Sequence, residues 1–167
     1  MSTRATKVTL RPLADDDLPS LFEFGRDPVA VQMAAFTSRN PDDHEAFLQF
    51  WAKLRANPNN IVQIVLADGE LAGSVGSYPS EGQQEVTYWI GRPFWGRGIA
   101  SAALALFIRN HCVLPLRARV AADNLASIRV LKKAGFVIID QARGFANARG
   151  EVIDELVLEL REPAQPK

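Results

Sequence analysis

Apolar residues along the chain switch between two spacings, and the switches mark the elements. Val8 and Leu10 alternate with Thr9 and Arg11 and predict a short strand. Asp15, Asp16 and Asp17 then supply a cap and first-turn carboxylates for a helix to about Phe24. Pro41, Asp42 and Asp43 open a second helix over residues 43–56, with Phe47, Phe50, Trp51 and Leu54 on one face as core. Asn57, Pro58, Asn59 and Asn60 end it. Residues 61–67 form an apolar strand, Asp68-Gly69 a two-residue hairpin turn, and residues 70–78 its partner. Ser80-Glu81-Gly82 turns the chain into a third strand, 84–90. A glycine-bearing turn leads to a helix from Ile99 to about Cys112, then a strand over 116–122 and a helix over 124–134 that Gly135 closes. Residues 136–140 and 152–160 are the last strands, and the tail 162–167 is expected to be disordered.

The meander formed by the three strands of 61–90 is antiparallel, whereas the strand-helix-strand unit after it is parallel. The expected fold class is therefore α/β (α+β): a mixed, mostly antiparallel twisted sheet of about seven strands with flanking helices, in one domain over residues 1–167.

Composition narrows the function by exclusion. The 167 residues suffice for one substantial core, and 47% hydrophobic content is ordinary for a globule. Lys plus Arg and Asp plus Glu both number 19, so no bulk charge points to nucleic acid or a membrane as partner. The longest apolar run, 99–108, contains Ser101 and is too short to span a bilayer. Residues 1–7 lack the apolar core of a signal peptide, and the chain is expected to be cytoplasmic. Cys112 is the single cysteine, and with His44 and His111 it forms no metal-ligand pattern, so no metal is expected.

The informative stretch is Arg92-Pro93-Phe94-Trp95-Gly96-Arg97-Gly98-Ile99-Ala100-Ser101. Strand, glycine-rich turn and helix N-terminus make an anion site, because the first amides of a helix have no internal partner. Glycine at 96 and 98 permits positive φ and close approach of a phosphate. A plain strand-to-helix connection is the alternative on this stretch alone. No Gly-Lys dipeptide occurs, which excludes a Walker-type loop. A dinucleotide fingerprint fits poorly: residues 91–95 separate Gly96 from the strand end, and Arg117 and Arg119 stand in the next strand where an acid belongs.

Two segments carry a family resemblance. Residues 84–106, with Trp95-Gly96-Arg97-Gly98-Ile99-Ala100, and residues 120–136, with Asn124-x-x-Ser127, resemble the GNAT superfamily of acetyl-CoA-dependent N-acetyltransferases. The tryptophan, the Asn124/Ser127 pair, the opening Leu10-Arg11-Pro12-Leu13 and the later Asp27-Pro28 resemble its RimJ/RimL branch. The order of elements fits throughout, so the resemblance implies a GNAT-like acyl-CoA N-acyltransferase fold and acetyl-CoA as co-substrate. It implies that the backbone amides of Arg97, Gly98, Ala100 and Ser101, with the Ser101 hydroxyl, hold the pyrophosphate, with Gly96 and Ile99 also in the cofactor site. Ile90 and Gly91 would pair their backbone with the pantetheine arm, and Asn124 would bond a pantetheine amide near the thioester. An amide near Trp89 or Ile90, freed where the parallel strands splay, would hold the oxyanion.

Ser127 would serve as thiol acid; a helix serine also bonds its own backbone. Many relatives carry a tyrosine at the position of Leu131, so this chain departs there, and it departs again at Ala102, where the branch usually has glutamate. Glu85 is the candidate base, or else a solvated strand acid. Residues 24–36 and the first two helices would wall the acceptor, and Arg117 with Arg119 either form a solvated face or attract an acidic acceptor. The acceptor is expected to be a primary amine, on a small molecule or a peptide N-terminus, and the chain a monomer or homodimer. A noncatalytic acetyl-CoA-binding sensor or interaction module is the rival reading.

Overall fold

The computed structural model describes residue 5 and residues 7–162; of the expected disordered tail, only the exposed Glu162 falls among them. Seven strands form one sheet: β1 (Val8–Pro12), β2 (Ile61–Ala67), β3 (Glu70–Ser80), β4 (Gln83–Ile90), β5 (Leu116–Ala121), β6 (Val137–Ala146) and β7 (Glu151–Leu160). Their order is β1-β2-β3-β4-β5-β7-β6, and every neighbouring pair is antiparallel except β4 with β5. The sheet is thus mixed and mostly antiparallel, as the sequence predicts.

The two tight turns of the meander follow from residue type. Asp68 and Gly69 have φ of 50° and 85°, and Glu81 and Gly82 have 51° and 80°. Positive φ at both central residues matches the right-handed twist of the flanking strands.

Five helices accompany the sheet: α1 (Leu18–Gly25), α2 (Pro28–Ala34), α3 (His44–Ala56), α4 (Ile99–His111) and α5 (Leu125–Lys133). In α4, Ile99, Ala103, Leu104 and Phe107 recur at helical spacing, and all are buried in the main core with Val65, Val75, Val86, Ile90, Leu116 and Leu158. Alternation along β4 sends Val86 and Ile90 into that core, while the indole of Trp89 turns the other way and donates to the Phe24 carbonyl of α1 at 3.1 Å.

Three expectations change. The connecting segment after α1 contains a helix, α2, started by Asp27, whose carboxylate accepts from the Val29 amide at 3.0 Å, and by Pro28 at its first position. β6 continues to Ala146 because β7 supplies ladder partners as far as Glu151, although Arg143 and Gly144 interrupt its apolar pattern. Of the face expected to pack from α3, Phe47 meets Phe22 at 5.1 Å, but Phe50 is 58% exposed.

One feature of the sheet creates the site. β4 and β5 are paired only at Gln84–Leu116 and Glu85–Arg117, and beyond those residues they part.

Candidate active site

Where β4 and β5 part, a cleft of about 530 Å³ opens between β4, the turn after it, α2 and α5. One wall is backbone. Past β4 the chain makes a 3-10 turn, Arg92–Phe94, and takes φ of 73° at Gly96 and 76° at Gly98. Gly98 caps α4 without any side chain, so the amides of Ile99, Ala100 and Ser101 start the helix with no intrahelical acceptor. Gly96, Gly98, Ile99, Ala100 and Ser101 all line the cleft.

The turn is fixed from outside. Asp27 pairs with Arg92 at 2.8 Å, and the Trp95 indole donates to the Ile90 carbonyl at 2.7 Å. These bonds explain why a tryptophan and an Asp-Pro pair accompany the glycines: they anchor a loop that has no ladder of its own.

The facing wall is made of side chains. Asn124 caps α5, its Oδ1 accepting from the Ser127 amide at 3.3 Å, and Asn124 and Ser127 both line the cleft. Ser127 Oγ lies 2.5 Å from the phenol oxygen of Tyr88 on β4. The serine hydroxyl thus meets a side chain from another element rather than its own helix. Burial pushes the Tyr88 phenol pKa up, and the bond to Ser127 acts in the opposite sense. Arg129 and Lys133 of α5 also line the cleft and set cationic groups at its rim.

Strand alternation decides which β4 amide faces the opening. The Gly91 amide donates to Ala72 of β3 at 2.8 Å, and the Trp89 carbonyl abuts β3 at Gly73, where a Cβ would stand 2.0 Å from it. Odd-numbered positions therefore spend their backbone groups on β3, and Tyr88 and Ile90 turn theirs toward the opening. Of the two oxyanion amides considered, Ile90 is the one so directed.

The cleft thus brings together Ile90, Gly96, Gly98, Ile99, Ala100, Ser101, Asn124 and Ser127. It does not bring Gly91, Arg97 or Glu85. Gly91 is buried against Phe24, whose ring would lie 2.6 Å from a Cβ, and its amide is committed to Ala72. The Arg97 side chain lies over the Phe94 ring, 5.6 Å from its centroid, and 3.7 Å from Asp68. Glu85 is 5% exposed, sits where β4 and β5 are still paired, and meets Arg119 at 3.1 Å. Arg119 also binds Glu155 at 3.1 Å and Glu81 at 3.3 Å, so it is a structural cation rather than one offered to an acceptor. The Glu85 carboxylate is thus engaged with Arg119 and lies outside the cleft lining.

Leu131, at the position where relatives carry a tyrosine, is 1% exposed and belongs to the core. Sequence reading missed Tyr88. Its parity with Val86 and Ile90 was visible, but its meeting with Ser127, across 39 residues of sequence, was not.

The acetyltransferase (GNAT) domain family matches residues 7–137. An uncharacterized N-acetyltransferase of Bacillus licheniformis, p20, is 25% identical over 164 residues, which is 92% of each chain. Among solved structures, a spermidine N-acetyltransferase from Vibrio cholerae in complex with CoA and spermine has a TM-score of 0.78 at 16% identity, covering 92% of this chain and 94% of that one. A ribosomal-protein-alanine N-acetyltransferase from Brucella melitensis has a TM-score of 0.76 at 24% identity, covering 92% and 99%. Both share the fold.

Proposed function

The chain belongs to the GNAT acetyltransferase family, and on that premise we propose that its cleft binds acetyl-CoA and moves the acetyl group to a primary amine by direct attack on the thioester. The observation that carries this reading is the opening between β4 and β5, which joins a glycine-capped helix N-terminus to Asn124 and Ser127 in one continuous space. The amides that start α4 suit a pyrophosphate, and the Arg129 and Lys133 side chains suit its remaining phosphate charge. The Tyr88 backbone suits an amide of a pantetheine arm, and the Asn124 carboxamide suits another, while the Ile90 carbonyl is taken by the Trp95 indole.

The steps balance as follows. The amine gives up a proton to water and its nitrogen forms a bond to the thioester carbon. The carbonyl oxygen, now negative, takes the Ile90 amide. The C–S bond then breaks with its electron pair on sulfur, which takes a proton through the Ser127 hydroxyl as that hydroxyl regains one from water. Glu85 has no part in this scheme. The Trp95 turn and the Asn124/Ser127 pair favour the RimJ/RimL branch, with a peptide N-terminus or a small amine as acceptor. Cys112, unpaired and half-buried, fits a cytoplasmic protein.

Ligand-induced stabilisation tests the reading. Acetyl-CoA and coenzyme A are expected to raise the melting temperature, and NAD and ATP at the same concentration are not. Thiol release from acetyl-CoA with a panel of amines, including peptides that differ in their first residue, identifies the acceptor. No stabilisation by coenzyme A removes the proposal. Stabilisation without thiol release from any amine favours the sensor reading.

A further inference from the structure

We propose that Tyr88 is a positioning residue for the transfer: it donates a hydrogen bond to Ser127 Oγ and thereby aims the Ser127 hydroxyl proton into the cleft. This rests on the preceding reading of the cleft as an acetyl-CoA site. The carrying observation is the 2.5 Å separation of the two oxygens, which belong to opposite walls of the same opening.

Chemistry settles the direction of the bond. Either oxygen has a proton to give, but a phenol is the far stronger acid and so the better donor. The other acceptor near the phenol is the Ser127 carbonyl at 3.4 Å, a much longer contact. With Tyr88 donating, one lone pair of Ser127 Oγ is filled and its own O–H must turn elsewhere. Among the described residues Ser127 Oγ has no other hydrogen-bond partner, and Ser127 lines the cleft, so the open direction for its O–H is the cleft.

Without Tyr88 the hydroxyl can rotate onto its own helix, as helix serines do, and present a lone pair rather than a proton to the departing sulfur. Burial raises the Tyr88 pKa, which favours the protonated phenol that the bond needs. The charged groups lining the cleft around the pair are Arg129 and Lys133, both on α5. The bond has a second consequence: it ties β4 to α5 across the opening where β4 and β5 part.

Steady-state kinetics on the whole protein test the inference, with thiol release as readout and chemistry rather than product release limiting the rate. Tyr88→Phe keeps the ring and removes only the donor. Its kcat is expected to fall about 5- to 50-fold, with KM for acetyl-CoA within about 2-fold of wild type. Ser127→Ala should lower kcat by about 10- to 1000-fold. In the Ser127→Ala background, Tyr88→Phe should change kcat by less than about 2-fold, because its effect passes through the missing hydroxyl.

A fluorinated tyrosine incorporated at position 88 gives a readout that packing alone does not move. Its phenol is more acidic, so the alkaline fall of kcat should shift to lower pH while activity at neutral pH is kept. Equal losses from Tyr88→Phe with and without Ser127, an unmoved alkaline limb, or an unchanged kcat in the single variant each overturn the positioning role and leave the acetyl-CoA reading standing. Absence of thiol release by the wild type with every amine overturns the positioning role together with the transfer reaction, and stabilisation by coenzyme A then decides whether the acetyl-CoA site stands.

Discussion

The same two strands make two unlike clefts. At the end where β4 and β5 are hydrogen bonded, Glu85, Arg119, Glu81 and Glu155 interlock, and Arg117 and Arg161 clasp the buried Glu159 of β7 close by. At the end where the strands part, the interior of the opening carries no carboxylate among its described lining residues; it offers amides, a carboxamide and three hydroxyls. Charges that satisfy one another hold a structure together and have nothing left to offer a ligand. Polar groups left without a ladder need a partner, and a substrate can be that partner. Glu85 stands among the interlocked charges, although it lies only three positions from Tyr88 on the same strand.

The largest effect is expected at the open end. Gly98 holds φ of 76°, where a side chain is strained, and it lines the cleft where the phosphate is proposed to lie. Gly98→Val should retain the fold and lose the ligand. With coenzyme A at about 100 times the wild-type Kd, wild type gains about 2.7 kcal/mol and the variant less than about 1 kcal/mol. An equal thermal shift in both proteins would take the glycine turn out of the site.

A middle-sized effect of another kind is expected at the closed end. Glu85→Gln weakens the contact to Arg119 and should cost about 1–2 kcal/mol of stability, seen as a lower urea midpoint at unchanged slope. The pH profile of kcat/KM should be unaltered. A variant that loses activity mainly at low pH, and recovers as pH rises, would return Glu85 to the chemistry as a base and erase the contrast between the two ends.

The smallest effect concerns the link that braces the open end. Arg149, in the β6–β7 turn, binds both oxygens of Asp123 at 2.7 and 3.1 Å and the Gln32 carbonyl of α2 at 2.8 Å. Its hydrogen bond holds the Asp123 carboxyl below its ordinary pKa. A depressed carboxyl adds stability above its unfolded value, and that stability is lost as pH falls through the folded one. Asp123 is largely exposed, so Arg149→Ala should cost only about 0.5–1 kcal/mol near pH 7. The gap in melting temperature between variant and wild type should close as pH falls below the ordinary carboxylate range. A gap that persists in acid would assign the loss to the Gln32 contact instead.

The chain by itself determined what depends on neighbours in sequence. Alternation and helical spacing located the seven strands and four of the five helices. Asp68-Gly69 and Glu81-Gly82 dictated the hairpins, and Gly96 with Gly98 marked the turn that starts α4. Those features are local, because dihedral preference and the amphipathic period act over a few residues. α2 escaped because it is short and rests on its Asp27-Pro28 start more than on a long apolar period. Side-chain partnerships are another matter. That Glu85 is spent on Arg119, that Phe50 lies exposed, that the Ile90 amide rather than the Trp89 amide faces the opening, and that a β4 phenol reaches Ser127 all depend on where separate elements land. Residue type sets what a group can do, and only its tertiary neighbours decide whether its charge or its proton is already taken.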